Sequence, residues 1–232
     1  MSSAAPWAAQ RAQIMRTSLG VGVATGAYGL SYGALGTAAG LSVVQTCALS
    51  VLMFSGGSQF ALIGVLGGGG SAVSGSASAM LLGARNALYG ARLAPVLGLR
   101  GVRRAVGAQL VVDESTAVAL RYEPEGVPAA RLGFWATGLA IFVLWNLSTL
   151  IGAVLGNAIG DPRDYGLDAA APAAFLALLA PRLHGRSAWL TAVAGAAVAV
   201  AAVPLVPAGV PVLVAALVPV VAVLASRSKA AS

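Results

Sequence analysis

Charge is the scarcest commodity in this chain. Of 232 residues only 9% are Asp, Glu, Lys or Arg, where a soluble domain carries about 25%. So few charges cannot cover the surface of a water-dissolved globule, and that class is excluded. Cysteine occurs once, as Cys47, and histidine once, as His184. A lone thiol in an apolar run cannot close an internal disulfide and reads as packing. With one His and one Cys far apart, no zinc site can be assembled from them, and no metal is expected. A Walker-type phosphate loop is also missing. No cofactor is expected. Lys229 is the only lysine beside thirteen arginines, a composition that suits a GC-rich bacterial genome.

What fills the space is apolar. Hydrophobic residues make up 58% of the chain, with a mean hydropathy of +0.86. Apolar runs of 18 or more residues recur along its whole length, each able to cross about 30 Å of hydrocarbon. The fold class expected is all-α, a polytopic membrane helical bundle of seven or eight transmembrane segments. The net charge of +7 does not indicate nucleic acid. Most arginines lie in short stretches between apolar runs, where the positive-inside bias puts them, and no basic cluster is interleaved with aromatics. The apolar stretch after Arg11 and Arg16 is too long for a signal peptide and lacks a cleavage site.

Hydropathy and breaker residues mark segments at roughly 17–39, 42–66, 72–97, 103–121, 132–156, 167–180, 187–203 and 209–225. The sixth is short and holds Pro172, which suits a re-entrant or broken segment. Residues 1–16 and 226–232 read as cytoplasmic ends of a single membrane domain over 17–225. Eight crossings gather Arg11, Arg16, Arg121, Arg131, Arg182, Arg186, Arg227 and Lys229 on the cytoplasmic face with both termini. The acidic loop with Asp161 and Asp164 then falls outside. Arg100, Arg103 and Arg104 also fall outside, against the rule. If segment four does not cross, that assignment changes.

Two short motifs recur with nearly the same gap. Leu62–Gly64 is followed by Leu93–Pro95, and Leu150–Gly152 by Leu179–Pro181. Three segments per copy would invert the second copy, a recurring transporter design in which broken helices meet at the midplane. Chance matching in an Ala/Leu/Gly-rich chain is the heavier alternative.

Polar residues inside apolar runs are where chemistry is expected, because hydrocarbon tolerates them only beside protein or water. Ser55, Gly56, Gly57, Ser58 and Gln59 interrupt the second segment. They read either as a helix break, whose following N-terminus suits a carboxylate, or as close helix packing by small residues. The Gln59 amide, which needs partners, fits packing less well. Arg85 falls near the middle of segment three, with Tyr89 and Arg92 on its stripe. Arg92, near the end, can snorkel. Asp113 and Glu114 fall near mid-depth in segment four. Folding a hairpin near residue 99 brings them level with Arg85, so a buried charge pair is expected, serving a substrate ammonium or a proton or simply fixing packing. Trp145 and Asn146 lie mid-span in segment five with Ser148 and Thr149, and either line the same cavity or bond across helices. Tyr28 and Tyr32 wall a pocket or fill the core. His184 reads as a solvated loop residue.

The stretches "YGLSYGALGTAAGLS", "FSGGSQFALIGVL", "GARNALYGARLAP", "VVDES" and "GLDAAAPAAFLALLAP" occur in that order. Over residues 17–182 they resemble the AzlC family, the large subunit of bacterial branched-chain amino acid exporters. Departures stand at Gly83 and Asn86, where family members often carry Asn and His, and at Ser55–Gly56, where they carry Ala-Gly. The resemblance implies a bacterial inner-membrane secondary transporter, not an enzyme. It also implies a small AzlD-type membrane subunit as partner, beside the amino-acid substrate and the lipid bilayer. A scaffold subunit without transport is the competing reading, and the mid-membrane charges speak against it. An intramembrane serine hydrolase fails because His184 sits in a loop at one face.

Overall fold

Backbone amides with few polar side chains and little water must bond to one another, and helices do this within a single segment. In the computed structural model, residues 7–158, 173, 176, 179–180, 183–207 and 209–230 are described, and all regular structure among them is helical. The elements are α1 (Trp7–Ala38), α2 (Val43–Leu52), α3 (Gly57–Gly67), α4 (Ala72–Leu97), α5 (Gly101–Gln109), α6 (Asp113–Tyr122), a 3-10 turn (Glu123–Glu125) and α7 (Val127–Ala158). After them come α8 (Gly185–Ala202), α9 (Val210–Ala215) and α10 (Leu217–Ala230). Pro172, Asp161, Asp164 and Arg182 lie outside the described residues, as does most of the expected sixth segment.

The frame is a parallel pair. Gly22, Gly26, Gly29 and Gly33 of α1 meet Ala140, Leu144, Trp145 and Thr149 of α7 in that order. A Cβ at Gly33 would collide with the Thr149 carbonyl, and one at Gly152 with the Leu30 carbonyl. Small residues thus let two backbones touch, the usual way helices associate without a hydrophobic driving force. Buried Thr137 donates to Ser18 Oγ at 2.9 Å across the same seam.

Two hairpins enter this frame from opposite ends. The first, α2–α3, starts with Thr46 beside Gly36, near the C-terminal end of α1. Ser50 Oγ then donates to Thr149 Oγ1 at 3.2 Å. The chain turns over Met53–Gly56 at the level of Phe142, whose ring stands 5.1 Å from that of Phe54. α3 climbs back past Tyr32, 5.8 Å from Phe60 by ring centroids. A Cβ at Gly67 would end 3.6 Å from Ala39, at the end where the hairpin began.

The second hairpin, α5–α6, starts at the other end, where Arg131 Nε donates to the Val96 carbonyl at 3.0 Å. Leu110 reaches the level of Gly138. α6 then returns past Gly133 to Tyr122, which packs with Ile14 and Ala129 and lies 3.1 Å from Thr17 Oγ1. Between the hairpins α4 runs the full length, antiparallel to α3, with Gly83 beside Ser58 and Arg85 beside Gly57.

Of the two readings of Ser55–Gln59, the helix break is the one present, between α2 and α3, and its cause is readable. Gly56 has φ +59, a left-handed conformation that glycine adopts without steric cost. Segment four differs from expectation, because it is two arms rather than one helix. No glycine or proline marks its break at Leu110–Val112. The device is Ser115, whose Oγ donates to the Leu110 carbonyl at 2.6 Å and accepts the Val112 N–H at 3.1 Å. A serine inside a polar run gives no hydropathy signal.

Because segment four doubles back, Arg100, Arg103 and Arg104 lie at the same end as Arg11, Arg16, Arg121 and Arg131. Among described residues 7–158 the opposite end carries no arginine or lysine. Hairpin followed by long helix therefore occurs twice, in reversed sense. The first residues of the outgoing arms, Gly57 and Asp113, are 56 residues apart. The recurring Leu62–Gly64 and Leu150–Gly152 motifs do not follow this register, since one sits on a hairpin arm and the other on a long helix.

By length and apolarity, two of the described helices, α7 and α8, qualify as membrane spans. α1 and α4 are longer than α8, and both are diluted by Gly, Ser and Arg. The outer face of α7 shows lipid-like exposure at helical spacing, with Leu139, Val143, Leu147, Leu150 and Val154 all exposed. Gly209, just before α9, packs on Val65 and Ser74 at the C-terminal end of the α1–α7 pair.

Candidate functional site

The two hairpin tips meet. Gln109, last residue of α5, donates from Nε2 to the Val51 carbonyl at 2.6 Å, near the end of α2. The outgoing arms α3 and α6 leave this junction in opposite directions, so their N-termini converge on it. A cavity of about 200 Å³ lies there. It is smaller than the ~300–1,000 Å³ sites of drug-sized ligands and is on the scale of one small metabolite.

Seven of the ten candidate residues line it: Ser55, Gly56, Gly57, Arg85, Asp113, Glu114 and Trp145. Arg85 Nη2 lies 3.2 Å from Asp113 Oδ2, with both side chains partly accessible. The expected charge pair is therefore present, though not through the expected geometry. A simple hairpin at residue 99 would put Arg92 beside Val106. Arg92 instead pairs with Glu123, because α6 runs parallel to α4 after the chain has doubled back.

The electrostatics follow from the chain path. Each helix N-terminus presents free N–H groups and about half a positive charge. Two of them border the cavity that Arg85, Asp113 and Glu114 also line. Gly57 is small for a reason here, since a Cβ would stand 3.1 Å from Arg85 Nη2. Among the described residues, Arg85 Nε and Trp145 Nε1 are buried without a hydrogen-bond partner.

The other three candidates stand behind the lining. Gln59 is fully buried and staples the break. Its Oε1 accepts the Gly56 N–H at 3.1 Å, and its Nε2 donates to the Ser50 carbonyl at 3.2 Å. It thereby satisfies both cut ends of the second segment. Ser58 Oγ lies 3.0 Å from Ser55 Oγ, which accepts from Asn86 Nδ2 at 3.3 Å. Asn146 turns inward on its own helix, donating to the Phe142 carbonyl at 2.7 Å. Of the two tyrosines, Tyr28 lines the cavity. Tyr32 lies in the core, stacked 6.1 Å from Trp145.

Sequence reasoning missed the apolar lining: Phe54, Phe60, Leu82, Val112, Ile141 and Leu179. In a chain this apolar they carry no distinguishing signal. His184, the N-cap of α8, lies outside the cavity lining. Among the described residues no cluster of His, Cys, Asp and Glu could hold a metal.

The AzlC protein family matches residues 20–159, which contain both hairpins and every candidate site residue. An "Uncharacterized membrane protein" of Archaeoglobus fulgidus is 32% identical over 175 residues, covering 74% of this chain and 74% of that protein. No solved structure matches. The chain is a membrane protein of the AzlC family.

Proposed function

We propose that this protein is a secondary transporter that exports branched-chain or similar hydrophobic amino acids across the bacterial cytoplasmic membrane, driven by the proton gradient. The observation that carries the reading is the cavity where two helix N-termini, Arg85 and Asp113 converge between hairpins from opposite ends. A zwitterion needs a cationic and an anionic partner, and the cavity has both. The substrate carboxylate goes to the N-termini of α3 and α6 and to Arg85. Its ammonium goes to Asp113 or Glu114. The apolar lining takes an aliphatic side chain.

Direction follows from which group shares Asp113. An ammonium and a proton compete for the same carboxylate, so each displaces the other and the two move in opposite directions. Inward protons then expel the amino acid. The reversed hairpin-and-helix units supply a scaffold of the inverted-repeat kind, in which either end can open to a fixed central site. The arginine-rich end is cytoplasmic on this reading, supported by the gathering of arginines there, and both termini lie on that side. On this reading the second and fourth segments are re-entrant hairpins rather than crossings. A small AzlD-type membrane subunit completes the exporter.

The test is efflux of valine, isoleucine or methionine from loaded cells expressing the chain with its partner. Asp113→Asn is expected to abolish proton-driven efflux while the protein still reaches the membrane. Unchanged efflux in both Asp113→Asn and Glu114→Gln would remove the acid role. Absence of efflux in the unsubstituted pair would return the chain to a scaffold.

A further inference from the structure

We propose that Ile141 determines the size of the side chain the cavity accepts, an inference that rests on the transporter reading above. The two hairpin-and-helix units put unlike residues at matching places. Arg85 follows Gly57, the first residue of its outgoing arm, at the same interval as Ile141 follows Asp113. Both Arg85 and Ile141 line the cavity. The first unit thus contributes the guanidinium and the second an aliphatic wall. A ligand held by its carboxylate and ammonium at Arg85 and Asp113 has its Cα fixed, and its side chain is left with the apolar remainder.

Within that remainder Ile141 is the residue free to vary and unable to yield. Phe60 and Trp145 are locked with Tyr32 in a three-ring cluster, at centroid distances of 5.8 to 6.1 Å. Phe54 is held edge-on to Phe142. Val112 forms part of the hairpin turn, Leu82 is half-exposed, and Leu179 is 42% exposed, so neither leucine is a fixed wall. Ile141 is 2% exposed, and a β-branched side chain in a helix has one strongly preferred rotamer. It does not move aside readily for a larger ligand, and truncating it removes side-chain atoms that line the cavity.

The experiment is competitive efflux of alanine, valine, isoleucine, leucine and phenylalanine from cells co-expressing the chain and its partner. Ile141→Ala is expected to raise phenylalanine relative to valine by about 10-fold, and Ile141→Phe to lower isoleucine and leucine relative to alanine by a similar factor, the usual worth of one or two methylenes in an apolar pocket. Should either variant fail to reach the membrane, Ile141→Val and Ile141→Leu carry the test, with the isoleucine-to-leucine ratio expected to shift about 3-fold or more. Unchanged ratios in variants that still transport would overturn the role of Ile141 and leave the transporter reading standing. Absence of efflux from the unsubstituted pair would overturn both.

Discussion

At the residue scale, Gln59 and Ser115 do matched work. Each follows its hairpin turn at the third residue of the outgoing arm. Each accepts the N–H at the start of that arm and donates to a carbonyl from the incoming side. Losing such a staple leaves buried backbone groups unmet, at about 1–3 kcal/mol per group. Gln59→Ala is therefore expected to lower the melting temperature of the detergent-purified protein, and Gln59→Glu to lower it at least as far, because its carboxylate would be buried against the Leu49 and Ser50 carbonyls. Equal melting of Gln59→Ala and the unsubstituted protein would contradict the staple. Gln59 was legible in the sequence as an amide in need of partners. Ser115 was not, because a serine beside Asp113 and Glu114 in "VVDES" looks like any other helix start. Arg85, Asp113 and Glu114 were legible for a simpler reason: charge at mid-depth stands out where almost nothing else is charged.

The elements are held by contact between backbones rather than by large side chains. Along α1 and α7 the seam is built of glycines that meet carbonyls and Cβ atoms of the facing helix, and Gly33 and Gly152 mark its tightest stretch. Gly33→Ala must push the helices apart, an overpacking that costs about 1–3 kcal/mol or more. Gly90→Ala meets nothing within 4 Å and is expected to be neutral or slightly stabilising, since alanine is the better helix former. Thermal stability of the two variants in detergent checks the contrast. If Gly33→Ala melts with the unsubstituted protein, the parallel seam is wrong. At this scale sequence reading offered the broken second segment as one of two readings, through its glycines, and left open whether the fourth crosses. Hydropathy counts apolar length and does not register direction, so a hairpin that enters and leaves by one face scores like a helix that crosses.

For the whole molecule, that difference decides sidedness. One hairpin from each end gathers the arginines of residues 7–158, apart from Arg85, at one face. A fully crossing fourth segment would strand three of them opposite. Single cysteines in a Cys47→Ala background separate the two arrangements. Ala8→Cys and Val102→Cys are expected to react with an impermeant maleimide from the same side, and Gly68→Cys from the other. Val102→Cys reacting from the side of Gly68→Cys would restore the crossing.

The most direct test of a central amino-acid site between the hairpin tips is counterflow in proteoliposomes holding the chain and its partner subunit. Labelled isoleucine outside is exchanged against unlabelled isoleucine inside. The unsubstituted protein is expected to accelerate label uptake above empty vesicles. Arg85→Ala is expected to reduce it at least about 10-fold, the loss of a charge-assisted contact, with melting close to that of the unsubstituted protein. Counterflow that persists undiminished in Arg85→Ala would contradict a carboxylate site at the junction of the two hairpins.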